Sequence, residues 1–138
     1  MATPQGRMAA ARLAALGRIA EARRDADLAR LSAVSARLAS AVEARATLDA
    51  ALSAEIRLAL CDPEVPVLRA LDQHVILAEQ ARTTLEARIA DLTTEREAER
   101  ARSALSFGRA MVLDRLADTA RQSARKPATQ GTVASDHE

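Results

Sequence analysis

Large aromatic side chains are almost missing from this chain: among 138 residues there is one phenylalanine, Phe107, and no tryptophan or tyrosine. A compact core of that size normally relies on such side chains to fill it, so their absence argues against a globular interior. Cysteine occurs once, at Cys61, which excludes an intramolecular disulfide or a cysteine cluster for a metal and leaves a free thiol. No apolar run approaches the roughly 18 residues needed to cross a bilayer. The stretch "MATPQGRMAAARLAALGRIAEARRD" has no uninterrupted apolar segment of the kind a secretory leader carries. The sequence therefore predicts a soluble, cytoplasmic protein.

An excess of one charge is lacking too. The 20 basic and 19 acidic residues leave a formal net charge of +1, and only Lys126 among the basic residues is a lysine. Acids interleave with the arginines almost everywhere, and no aromatic beyond Phe107 is available to stack on a base, which argues against nucleic-acid binding. A membrane-surface helix is disfavoured for a related reason, since the polar faces mix both signs. Catalytic groups are equally sparse. His74 is the one histidine in the patterned part, His137 lies in the tail, and neither has a partner at metal-ligand spacing. There is no glycine-rich phosphate loop and no HExxH, and Glu95 and Glu99 read as solvated charges on a helix. We expect no enzyme activity, no metal and no cofactor.

Proline is scarce, and its placement is informative. Pro4 and Pro127 sit near the ends, while Pro63 and Pro66 fall together in "CDPEVPVLRAL" (61–71). Everything between is alanine, leucine, arginine and glutamate in helical periodicity. One series steps by three and four through Leu13, Leu16, Ala20, Leu31, Val34, Leu38, Ala41, Arg45, Leu48, Leu52, Ile56 and Ala59. A second runs through Leu68, Leu71, Val75, Ala78, Arg82, Leu85, Ile89 and Leu92, and resumes less cleanly at Leu105, Val112, Leu113 and Leu116. Asp62-Pro63-Glu64 reads as an N-cap, a proline at the first helical position and an acid in the first turn. The prolines are thus punctuation between two helices.

The fold class predicted is all-α, a long antiparallel two-helix coiled-coil hairpin. Helix 1 covers about 8–60, the hinge 61–66 and helix 2 about 66–123, flanked by a frayed segment 1–6 and a disordered tail 125–138. Each helix would run on the order of 80 Å at 1.5 Å per residue. In the simplest register Leu52 faces Val75, Leu38 faces Ile89 and Leu31 faces Arg96. Arg45 and Arg82 then oppose each other on core positions and must snorkel toward acids such as Glu43, Glu79 or Glu86. The segment "TTEREAERAR" (93–102) has no apolar seam beyond alanine, and Arg96, Glu99 and Arg102 pair along one face, so a solvated, weak section is expected. Gly108 in "SFGRAMV" predicts a bend or local break.

Two stretches of the chain resemble a known family. "RLAALGRIAEARRDADLARL" (12–31) is similar to the opening of the FliJ/YscO proteins of type III export, an Arg-Leu-x-x-Leu run leading into a charged, alanine-rich helix. "AMVLDRLADTARQSARKP" (110–127) is similar to the family's closing stretch, in which an alanine leads to a basic tail. The resemblance implies a cytoplasmic component of a flagellar or virulence export apparatus, peripheral at the inner face of the membrane. Such proteins form an antiparallel coiled coil whose two-termini end enters a hexameric export ATPase, while the hinge region engages an export-gate subunit; members also handle export chaperones. Carried onto this sequence, the gate-facing strip is Val67, Leu71, His74 and Ala78, of which Leu71 and Ala78 also belong to the seam. Arg12, Arg18, Arg109, Arg115 and Arg121 would meet acidic loops at the ATPase end, although as surface arginines they need no such role. The alternative is a structural or scaffold coiled coil, self-associating or part of a phage-like particle. The thin alanine seam makes a lone hairpin marginal and leaves room for a homodimer or for stabilisation by a partner.

Overall fold

A computed structural model of the chain describes residues 3–125. They form two helices and no strand: α1, Pro4–Cys61, and α2, Val65–Arg125. The chain is an all-α antiparallel helical hairpin, as the two periodic series require. The tail expected over 125–138 lies, from residue 126 on, outside the described residues, as do Met1 and Ala2.

The start of α1 lies ahead of the first apolar repeat because it is capped. The Gly6 amide donates to Thr3 Oγ1 at 3.1 Å and the Arg7 amide to the Thr3 carbonyl at 3.1 Å. Pro4 takes the first helical position, where its missing N–H has no partner to lose. Thr3-Pro4 is therefore a cap-and-proline pair that helical periodicity alone does not reveal.

The hinge is shorter than expected and its cap is a different residue. Only residues 62–64 lie between the helices. The Leu68 amide donates to the Glu64 carbonyl at 3.0 Å, which makes Glu64, not Asp62, the residue flanking α2. Pro66, not Pro63, sits in the first turn, at the second helical position, where an amide would also be an orphan. Glu64 donates its own amide to the Asp62 carbonyl at 2.9 Å, and the chain reverses without a positive-φ residue or a cis peptide.

Two compact units divide the hairpin. The hinge unit, Ala29–Arg100, follows the heptad seam closely: Val34, Leu38, Ala41, Ala59 and Leu92 are buried, and Leu38, Ala41 and Leu92 form a cluster against which Ile89 packs. Ile56 and Leu68, read as seam residues, are exposed. The register differs from the simplest one. There Asp49 would face Ala78 and Glu55 would face Asp72; instead Arg82 reaches Asp49 at 3.7 Å, His74 meets Glu55 at 2.9 Å and Arg37 meets Glu95 at 3.6 Å. The partners on α2 thus lie further toward the C-terminus than the simplest register places them, by up to roughly a helical turn. Arg82 does snorkel, to Glu86 at 3.2 Å as well as to Asp49. Arg45 stays half-buried.

Residues 93–102 are exposed except at two positions. Arg96 is half-buried and Glu99 is only 8% exposed, because both continue the three-and-four spacing from Leu92 onto the seam. Seam position, set by the heptad, overrides residue polarity here.

The terminal unit, Met1–Leu28 with Ala101–Glu138, carries the same inversion further. Its seam passes through Leu13, Gly17, Ala20, Arg24 and Asp27 on α1, and through Ser103, Ser106, Ala110, Leu113 and Ala117 on α2, all buried or half-buried. Leu16, Leu105, Val112 and Leu116, read as seam residues, lie one position off it and are exposed. The interior is bridged by a hydrogen bond from the Ser106 hydroxyl to a carboxylate oxygen of Asp27. Gly108 breaks nothing: α2 runs through it without a positive φ, and a Cβ there would meet no atom within 4 Å.

Candidate protein-binding surfaces

Apolar side chains that the seam leaves out define the surfaces on which this molecule can be recognised. Near the hinge, Leu58 and Leu60 at the end of α1 are 73% and 66% exposed, and Val65, Val67, Ile76 and Leu77 on α2 are exposed as well. The alanine-rich seam can bury only one stripe per helix, so leucines on the neighbouring stripes stay in water. Leu58, Leu60, Val65 and Val67, close to residues 62–64, make an apolar tip, and Ile76 and Leu77 stand about three turns further along α2.

The strip Val67, Leu71, His74 and Ala78 divides at this tip. Leu71 and Ala78 are half-buried on the seam, whereas Val67 and His74 are exposed beside it. His74 is not free-standing: its Nδ1 lies 2.9 Å from Glu55 Oε2 on α1, and the two side chains, with Leu48, Leu52 and Leu77, border a shallow groove of about 300 Å³. Leu58, Leu60, Ile76 and Leu77 were missed because they fall outside the heptad. The signal was available, since all four are large apolar residues that the three-and-four spacing leaves off the seam.

Arg12, Arg18, Arg109, Arg115 and Arg121 all lie in the terminal unit and all are exposed. Arg121 is bound to Asp118 on its own helix. No ion pair among the described residues involves Arg12, Arg18, Arg109 or Arg115. Arg109 borders an apolar groove of about 690 Å³ that runs between α1 and α2 and is walled by Leu16, Ile19, Leu105 and Val112. Arg18 and Arg115 fall outside that groove. The five arginines thus share one unit without forming one site.

No family model, no curated protein and no solved structure matches the chain. Among the described residues no three His, Cys, Asp or Glu side chains converge as metal ligands, and Cys61 is free and exposed. No helix among them is long and apolar enough to cross a membrane.

Proposed function

We propose that the chain is a non-enzymatic coiled-coil component of a flagellar or type III protein export apparatus that links the export ATPase to the export gate and to export chaperones. The observation that carries this reading is the hairpin with apolar surface set apart in each of its units. The two stretches that resemble the FliJ/YscO family, 12–31 and 110–127, fall largely within one unit, and the exposed apolar tip lies in the other.

On this reading the tip residues Leu58 and Val67, together with His74 and Leu77, face the gate subunit, and the arginines of the terminal unit face the ATPase. Coupling requires only that each partner bind one orientation of the hairpin better than another, since a ligand shifts an equilibrium by its differential affinity. The protein would then act in the cytoplasm, at the inner face of the membrane.

Affinity capture of the tagged protein from its native cells, with the bound proteins identified by mass spectrometry, tests the reading. Recovery of a hexameric export ATPase or an export-gate subunit, lost for the gate in a Leu58→Glu, Leu77→Glu variant, is the expected result. Recovery of only the chain itself, or of capsid and tail proteins, would replace the reading with a structural coiled coil.

A further inference from the structure

In the terminal unit much of the large apolar surface lies off the seam. Gly17, Ala20 and Arg24 share the seam of α1 with Leu13, and Ser106 and Ala110 that of α2 with Leu113, while Leu16, Ile19, Leu105, Val112 and Leu116 stand one position outside it. Leu16, Ile19, Leu105 and Val112 are 49%, 65%, 61% and 56% exposed, and together they wall the groove of about 690 Å³. Their spacing is itself helical. Leu16, Ile19 and Arg23 on one wall, and Leu105, Arg109 and Val112 on the other, advance by three and four, so each wall offers the ridges into which a third helix packs.

Charge narrows the occupant. Arg23 and Arg109 border the groove, neither takes part in an ion pair among the described residues, and no acidic residue lines it. A second copy of this chain docking by its same face would bring arginine toward arginine, because a two-fold interface must be complementary to itself. A nucleic acid would find no aromatic platform in the groove. A bilayer favours a single protruding apolar face, not a two-walled groove.

We propose that this groove is the docking site for one amphipathic helix of a partner protein, apolar at i, i+3, i+4 and i+7 and flanked on both sides by aspartate or glutamate. The apolar face of that helix covers Leu16, Ile19, Leu105 and Val112, and its acids pair with Arg23 and Arg109. The proposal goes beyond the export reading and does not depend on it: the groove selects a kind of helix, whatever apparatus supplies it.

Fluorescence anisotropy with the full chain tests it. The probes are a synthetic helical peptide of about 20 residues with leucines at heptad positions flanked by glutamates, a twin with lysines replacing the glutamates, and a scrambled peptide of the first composition. The glutamate peptide is expected to bind saturably, with the lysine twin at least about tenfold weaker and the scrambled peptide showing no saturation. Ile19→Glu and Leu105→Glu each weaken the glutamate peptide by about tenfold or more, and an Arg23→Glu, Arg109→Glu variant reverses the preference between the two charged peptides. All four positions are exposed, Ile19 and Arg23 on α1 and Leu105 and Arg109 on α2, and circular dichroism shows whether each variant keeps its helices. If the apolar variants lose helicity, the charge-reversal variant still decides, because it leaves the apolar walls intact. Equal binding of the scrambled peptide, unchanged binding in Leu105→Glu, or no binding up to about 1 mM peptide overturns the proposal. So does a dimer in sedimentation velocity, or cosedimentation with anionic vesicles, that Ile19→Glu abolishes, since the groove would then belong to a second copy or to lipid. Tighter peptide binding in an Asp136→Asn, Glu138→Gln variant also overturns it, by assigning the groove to acids of the chain's own C-terminal segment.

Discussion

Asp27 is the residue at which sequence pattern and environment disagree most. A carboxylate on the seam, 8% exposed, accepts a hydrogen bond from the Ser106 hydroxyl on the other helix, one of the contacts that satisfy it. Removing one partner of a buried polar pair leaves the other unsatisfied, which costs about 1–3 kcal/mol. Asp27→Ala is therefore expected to lower stability by about that amount in urea unfolding, whereas Asp27→Leu with Ser106→Ala is expected to match or exceed the parent. If the single and double variants are equally destabilised, the pair is not the source of the effect. Gly108 gives the opposite case. Its Cβ direction is open and its φ is ordinary, so Gly108→Ala is expected to add roughly 0.5–1 kcal/mol by restoring helix propensity, read as a higher urea midpoint. A lower midpoint would mean that the helix needs the glycine. Ser103 Oγ and Arg96 Nε, by contrast, lie buried without a hydrogen-bond partner among the described residues, although the Arg96 guanidinium reaches Glu97 at 3.8 Å.

At the scale of the element, the register of α1 against α2 was the part least legible in the sequence. The existence of both helices, the hinge and the seam from Leu31 to Leu52 and from Leu71 to Leu92 could be read from three-and-four spacing, because leucine and valine mark those positions. From Arg96 onward the seam passes through Glu99, Ser103 and Ser106, and a reading that follows apolar residues drifts onto Leu105, Val112 and Leu116 instead. Carrying the strict heptad forward from Leu92, regardless of polarity, would have found both the true seam and the displaced leucines that wall the groove. The cap of α2 was misassigned by two residues for a similar reason: Asp62-Pro63 and Glu64-Val65-Pro66 both satisfy the rules for a helix start, and only the Leu68-to-Glu64 hydrogen bond selects the second. The register shift is open to measurement through Asp49 and Arg82. Alanine substitutions at the two positions, singly and together, are expected to show a coupling of about 0.2–1 kcal/mol, the range of exposed ion pairs. Coupling indistinguishable from zero would favour the register in which Asp49 faces Ala78. The interaction of Arg82 with Glu86 cancels in the cycle, so it cannot produce the coupling by itself.

At the scale of the whole molecule, the two units differ in what holds them. Among the described residues no side chain is fully buried, so each unit relies on partial burial of a narrow stripe. In the hinge unit that stripe includes Val34, Leu38 and Leu92, whose removal from water is worth about 1.5–3 kcal/mol each when complete. In the terminal unit its most buried members are alanines, serines and Asp27, which contribute far less apolar area, while Leu13 and Leu113 are only half-buried and Leu16, Leu105 and Leu116 remain in water. Local opening free energy follows the apolar contact available to each segment. Native-state hydrogen exchange should therefore show the amides of 34–41 and 89–92 exchanging most slowly and those of 13–27 and 103–117 at least about tenfold faster, a gap of about 1.4 kcal/mol in opening free energy. Uniform protection across both units would mean that the hairpin opens as one body and that the polar seam carries no local weakness. The same contrast bears on binding. A helix docked over Leu16, Ile19, Leu105 and Val112 would supply the apolar cover this unit lacks, so its amides should slow on addition of the glutamate-flanked peptide while those of 34–41 stay unchanged. Binding energy would then appear as local stability in the unit that has least of its own.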